Sequence, residues 1–221
     1  MSELGPNPHF FDLVGQMRAM RRLKPDPVPL ELLRKVLDAG VKAPSGMNSQ
    51  PWAFVVVRDS EGKRWFADRY AAGIRSRFGG FEIPDDDDSP MARQGRALIY
   101  QTEHMHEFPV LLFVCGLRDW PFAVPPEERV GHGPPNYGAV YPCVQNIMLA
   151  CRAVGLGAAL TTMHQLFEDE MHERYGIPDE YGVVVTIPIG FPMGNFGPVR
   201  RTPAEQLTYF ERWGQLETGL E

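Results

Sequence analysis

Residues 141–162 read YPCVQNIMLACRAVGLGAALTT, and the change of character part-way along them decides how the chain folds. Apolar residues recur at helical spacing through Ala153, which predicts a helix over 137–154. Gly155-Leu156-Gly157-Ala158-Ala159 then strips away side-chain bulk, and the chain goes on to Val183–Ile189, a near-continuous apolar run. Such a run reads as a strand covered on both faces. Working outward, Val110–Cys115 has the same character, and Ala53–Val57 is a short β-branched and aromatic strand. Helices are predicted between them. Over Pro29–Lys42, Leu30, Leu33 and Leu37 form one stripe, with Glu31–Lys35 and Arg34–Asp38 as i,i+4 ion pairs outside it. Further helices are expected near 60–78, 91–107 and 164–175, and a last one from Thr202-Pro203-Ala204-Glu205, a capping box with proline at its first position. With no internal repeat and no linker, the expectation is one α+β domain over 1–221: a central sheet flanked by helices.

Bulk properties remove several function classes. A formal charge of −6 argues against a nucleic-acid binder, which needs clustered Lys and Arg. No stretch is long and apolar enough to span a bilayer, and Met1–Phe11 lacks the basic head and apolar run of a signal peptide, so cytoplasmic placement is expected. Cys115, Cys143 and Cys151 form no C-x-x-C pair and are expected as reduced core thiols. Neither a P-loop nor an intact G-x-G-x-x-G is present, since Gly155-Leu156-Gly157 runs on into Ala158, Ala159 and Leu160. His104 and His106 point about 200° apart on a helix, so no metal site is expected. Asp85–Asp88 reads as a solvated run, and residues 121–136, with five prolines, as a lid or interface arm.

Three segments share one chemical logic. Arg18, Arg21, Arg22 and Lys24 fall within seven positions after the first helix, which suits an anion or, equally, a solvated helix C-terminus. The loop Pro44-Ser45-Gly46-Met47-Asn48-Ser49-Gln50-Pro51 offers short polar side chains in a proline-fixed frame, a rim for a planar polar-edged cofactor or an ordinary turn. The small residues 155–162 let an aromatic ring lie against backbone, and Arg200 and Arg201 would suit a phosphate.

These pieces, MRRLKPDPVP (20–29), APSGMNSQPWAFVVVRD (43–59), residues 141–162, and IPIGFP (187–192) with VRRTP (199–203), resemble the nitroreductase family in order and spacing. The likeness runs from about residue 13 to 205. It implies a nitroreductase-like α+β fold with a mixed or antiparallel sheet, an intertwined homodimer, and two FMN sites at the subunit interface. Carried over by position, Arg18 would sit near the flavin phosphate and Arg21 near the N1–C2=O edge of the ring. Pro44, Ser45, Gly46, Asn48 and Gln50 would reach the flavin from the partner subunit. Leu160, Thr161 and Thr162 would pass the ring near N5, and Arg200 and Arg201 would complete the phosphate site. Ala19 stands where the family usually has Ser, Met17 where Arg is common, and Leu23 where Phe is frequent; Arg22 is placed to compensate.

The activity implied is transfer of electrons from NADH or NADPH through flavin N5 to a small planar acceptor such as a nitroaromatic or quinone, in two half-reactions, with no catalytic protein side chain beyond tuning of the flavin by Arg21. Two alternatives stand beside it: specialised flavin chemistry such as reductive dehalogenation or reaction with oxygen, and a non-catalytic flavin- or deazaflavin-binding dimer. Segments 65–108 and 121–136 would cover the substrate. Their aromatics, with neighbours (Trp65, Phe66, Tyr70, Phe78, Phe81, Trp120, Phe122 and Tyr137), could stack on a ligand or serve as core and dimer contacts.

Overall fold

The computed structural model describes residues 10–79, 83–118 and 138–214. In chain order the elements are α1 (Phe10–Gln16), α2 (Leu30–Gly40), β1 (Trp52–Val57), α3 (Ser60–Phe78), α4 (Pro90–His104), β2 (Val110–Leu117), α5 (Val140–Ala153), β3 (Gly157–Ala158), α6 (Glu168–Tyr175) and β4 (Tyr181–Gly190). The strands form one sheet in the order β1-β2-β4-β3. Of the two sheet types expected, it is the antiparallel one at each pairing between these strands.

Both faces of the sheet are covered, as the apolar runs of β2 and β4 require. On one side Val110, Leu112, Val114, Ile187 and Ile189 pack with residues of α2 and α5. On the other, Leu111, Phe113, Cys115 and Val183 meet Phe66, Tyr70 and Ile74 of α3 and Met171 of α6. Each large apolar side chain buried fully in this way contributes about 1.5–3 kcal/mol relative to exposure. Helices α2 and α5 approach closely because position 40 is glycine: a Cβ there would lie 2.7 Å from Ile147 Cγ1. Helix α3 begins where Asp59 accepts the Gly62 N–H at 2.7 Å, and α4 where the Ser89 hydroxyl accepts that of Ala92 at 3.1 Å.

Several local expectations need correction. In α2 the buried stripe runs through Leu33, Val36 and Gly40, whereas Leu30 is exposed. The helix expected over 164–175 is broken at Phe167, whose φ of −151° separates a 3-10 turn at Met163–Leu166 from α6, because His164 and Phe167 both turn into the core. The helix expected from Thr202 is a single 3-10 turn, Ala204–Gln206, without a side-chain cap. Leu207 and Trp213 beyond it stay 64% and 88% exposed, so no apolar face docks there, and a capping signal without packing does not sustain a helix. All three cysteines are free and buried; burial raises the thiol pKa to about 12 at Cys115 and Cys151 and about 11 at Cys143.

Candidate functional site

The basic segment lies beyond α1, which ends at Gln16, so its arginines do not cap the helix. It runs as extended chain along the β3 edge. Met20 N–H donates to Ala158 O (2.9 Å), Lys24 N–H to Phe191 O (2.8 Å), and Met193 N–H to Arg22 O (3.0 Å). Met20 and Leu23 are buried, which leaves Arg18 and Arg22 exposed and Arg21 half-buried. Gly157 permits this approach: a Cβ there would lie 2.8 Å from Leu23 and 2.9 Å from Met20. The space opened by this small residue is therefore filled by the chain itself rather than left for a ring.

The C-terminal tail joins the same edge. Arg18 Nη2 donates to Asn195 O at 3.0 Å, and Val199 N–H to Gly15 O at 2.8 Å, just before the exposed Arg200 and Arg201. Arg152, at the end of α5, ties the two together by donating to Gln16 Oε1 (2.5 Å) and lying 4.2 Å over the Phe196 ring. Among the described residues, no carboxylate lies within ion-pair distance of Arg18, Arg21, Arg22, Arg200 or Arg201. In a protein of net charge −6, these five arginines without a carboxylate partner form a local concentration of positive charge.

Next along the edge come Leu160, Thr161 and Thr162. Leu160 is 38% exposed, and Thr161 pairs with Thr186 through both backbone bonds, at 2.9 and 3.0 Å. Beneath them lies a polar pair inside the core. Gln101 Nε2 donates to the Tyr70 hydroxyl at 2.8 Å, both residues being buried. Burial pushes the Tyr70 phenol above its ordinary pKa, against the neighbouring Thr161 and Gln101 and the charge of Arg21. Two residues on, the buried His164 donates from Nε2 to Val183 O at 2.6 Å, and burial holds its pKa below the ordinary histidine value.

Loop 44–50 is built differently. Met47, Asn48 and Gln50 have φ of 52°, 53° and 47°, the left-handed region where a side chain costs about 1–2 kcal/mol per residue. Pro44, Gly46, Met47, Asn48 and Gln50 are exposed, and two hydrogen bonds lie within the loop: Gln50 N–H to Ser45 Oγ at 3.0 Å and Gln50 Nε2 to Asn48 O at 3.4 Å. It leads into Trp52, which pairs with Gly116 at one end of β2, whereas Ala158 pairs with Ile189, and Ile189 with Val110 at the other end. The loop and the basic segment thus sit at opposite corners of the sheet, about 20 Å apart along the strands and about 14 Å across them. Within one protomer Arg18, Ala19, Arg21 and Arg22 lie along the β3 edge that leads to Leu160, Thr161 and Thr162, and the tail bearing Arg200 and Arg201 is tied to that edge at Gly15 and Arg18; Pro44, Ser45, Gly46, Asn48 and Gln50 lie at the opposite corner.

Of the aromatic candidates, Phe66 and Tyr70 are core residues and Phe78 is exposed. Trp65 meets Phe167 and Tyr175 edge-on, with the Arg69 guanidinium 3.9 Å over its ring. Phe81, Trp120, Phe122 and Tyr137 lie outside the described residues, as does loop 121–136. His104 Nδ1 lies 3.0 Å from Glu107, and among the described residues no group of three or more His, Cys, Asp or Glu is placed to hold a metal.

A family model described as the nitroreductase family matches residues 14–191. An iodotyrosine deiodinase of Thermotoga neapolitana is 27% identical over 189 residues, 82% of this chain and 88% of that protein. A putative NADH dehydrogenase/NAD(P)H nitroreductase of Methanothermobacter thermautotrophicus is 24% identical over 208 residues, 92% and 87% of the two chains. Other matches are partial: the aligned region spans 23% of an NADH dehydrogenase of Thermus thermophilus and 62% of iodotyrosine deiodinase 1 of Rattus norvegicus. Among solved structures, oxidized iodotyrosine deiodinase bound to FMN and 3-iodo-L-tyrosine superposes with a TM-score of 0.68 at 22% identity, covering 93% of this chain and 98% of that one.

Proposed function

The chain belongs to the nitroreductase family, and we propose that it is an FMN-dependent oxidoreductase, one domain over 1–221, acting as a homodimer on a small planar substrate. The observation that carries this is the arginine-rich edge without a carboxylate, lying beside the half-open Leu160–Thr162 segment. That donor set suits FMN, which is an anionic phosphate joined to a flat ring with a polar rim. Arg18, Arg200 and Arg201 would hold the phosphate, with Arg22 making up for the hydroxyl lacking at Ala19. Arg21 would face the N1–C2=O edge, and Leu160, Thr161 and Thr162 the N5 edge. When bound, FMN would supply the redox chemistry, carrying electrons from NADH or NADPH through N5 to an acceptor such as a nitroaromatic or quinone in two half-reactions. The chain's part is to bind, orient and polarise. A fixed guanidinium such as Arg21, facing charge that develops at the ring edge, is worth on the order of 2.7–4 kcal/mol.

Distance supports the homodimer. Pro44, Ser45, Gly46, Asn48 and Gln50 lie at the far corner of the sheet from Arg21, so a cofactor touching both sets needs that loop from a second copy of the chain. No helix among the described residues is long and apolar enough to cross a membrane, consistent with the cytoplasmic placement proposed here.

The test is the visible spectrum of the purified protein, followed by NADH or NADPH without oxygen. Flavin bands that bleach with either donor support the proposal; a colourless protein that takes up no added FMN refutes it. The deiodinase relatives favour a second reading, reductive dehalogenation, in which two electrons and a proton replace a carbon–halogen bond by carbon–hydrogen and release halide. Halide release from a halotyrosine by the reduced holoprotein, with slow turnover of nicotinamide, would select it.

A further inference from the structure

Arg18, Arg200 and Arg201 come from two stretches of chain far apart in sequence, one just after α1 and one in the tail beyond β4. Their like charges repel, so the spacing between the two stretches has to be set by other contacts. Helix α1 has no buried residue, so apolar packing does little to fix where Arg18 starts from. Arg152, in the last turn of α5, lies between the two stretches. Its Nη2 donates to Gln16 Oε1, two residues before Arg18. Its guanidinium carbon lies 4.2 Å from the centroid of the Phe196 ring, four residues before Arg200. The Val199–Gly15 and Arg18–Asn195 bonds fall at the same corner, and the Arg18 guanidinium runs alongside Gly197. Arg152 is half-buried, its Nε is buried without a partner, and no carboxylate among the described residues is within ion-pair distance of it. It is therefore not placed for a salt bridge. A planar guanidinium can stack on a ring and donate from its edge at once, which an ammonium cannot.

We propose that Arg152 is a positioning residue that joins α1 to the tail through Gln16 and Phe196, and so sets the spacing of Arg18 against Arg200 and Arg201 for a phosphate monoester. This rests on the FMN reading above. Arg152 is not itself a phosphate ligand in this arrangement. Its consequence is selectivity: the preference for FMN over riboflavin, which has the same ring and side chain without the phosphate, depends on a residue that touches neither.

The experiment measures dissociation constants of FMN and of riboflavin for the full chain and takes their ratio. Arg152→Met is expected to cut the preference for FMN about tenfold, the combined worth of one hydrogen bond and one cation–π contact, with riboflavin affinity unchanged. Arg152→Lys keeps the charge but loses the plane, and should fall nearly as far. Phe196→Leu should follow it, whereas Phe196→Tyr, which keeps a ring, should hold the wild-type ratio. In a chain already carrying Arg200→Ala and Arg201→Ala, Arg152→Met should add little, since nothing is left to space. If Arg152→Met does not fold, Phe196→Leu and Gln16→Met carry the same test. A wild-type ratio in Arg152→Lys would make the effect one of charge alone. That result, losses that add in the triple variant, or FMN and riboflavin weakening in parallel would overturn the proposal while leaving the FMN site intact. A wild-type protein that binds neither flavin would overturn the FMN reading itself.

Discussion

Along the β3 edge the chain from Met20 to Lys24 is tied to its neighbours by backbone hydrogen bonds, its apolar side chains are buried, and Gly157 makes room for it. In loop 44–50 Asn48 and Gln50 are exposed, Gln50 bonds back to Ser45 and Asn48, and three non-glycine residues hold left-handed backbone. Both were candidates for the same polar rim. The first is tied down within one protomer; the second is exposed and strained, which is what the proposed homodimer would require of it. Strain of this kind persists where surrounding structure or function over-determines it.

The comparison breaks most decisively in a mixed dimer. Chains with Arg21→Ala, and chains with Ser45→Ala and Asn48→Ala together, should each purify without FMN. Loss of Arg21 alone is expected to weaken FMN binding about 100-fold or more. Co-expressed, they should give a heterodimer holding one FMN, because one of its sites combines an intact Arg21 with an intact loop. Flavin content no higher than in either homodimer would mean that both halves serve one chain, against the geometry of the sheet.

A smaller effect sharpens the account of the finished half. Gly157→Ala places a methyl against Leu23 and the Cβ of Met20, and the latter cannot swing aside without its backbone. Overpacking of this sort costs about 1–3 kcal/mol. The unfolding free energy of the apo chain should fall by that amount, read from a lower denaturant midpoint, and FMN affinity should fall with it because Arg18 and Arg21 ride on the displaced segment. Lost stability with unchanged affinity would detach the cationic edge from β3.

What was legible in the sequence follows the same division. Three of the four strands were, because apolar runs such as Val183–Ile189 need no partner to be recognised, whereas the two-residue β3 carries no such run; so were the arginines, because clustered charge in an acidic chain is a local signal. The Gln101–Tyr70 and Arg152–Gln16 contacts were not: they join residues 31 and 136 positions apart, and nothing local in the sequence pairs them. The left-handed turn was half-legible. Gly46 and the prolines marked a loop, but the strain falls on Met47, Asn48 and Gln50. The capping box at Thr202 was legible and misleading, since capping offers a start to a helix and packing decides whether it continues.

A third effect is set by pH and tests the buried His164, which donates to Val183 O. Burial keeps the folded His164 below the ordinary value of 6.5, so as pH falls through about 6.5 the unfolded chain takes up a proton that the folded chain refuses. Stability is therefore full above that range and declines as pH drops below it, by up to about 1.4 kcal/mol per unit, until the folded pKa is reached. Urea midpoints should show this slope in wild type and a shallower one in His164→Gln. Equal slopes would place the acid sensitivity elsewhere.

The smallest expected effect lies in the loop and runs in the stabilising direction. Met47 is 79% exposed, so trimming it removes little packing, and its φ of 52° suits glycine better than methionine. Met47→Gly should recover part of the 1–2 kcal/mol left-handed cost. Against this stands the extra freedom of glycine in the unfolded chain, about 0.4–1 kcal/mol. The apo protein should gain a few tenths to about 1 kcal/mol, read as a higher denaturant midpoint at constant slope. The holoprotein should lose FMN faster, because a glycine loop must be ordered anew against the cofactor of the partner. Opposite signs in apo stability and FMN retention are what separate a loop strained for an interface from an ordinary turn. If both rise together, the left-handed backbone is incidental and the second half of the site lies elsewhere.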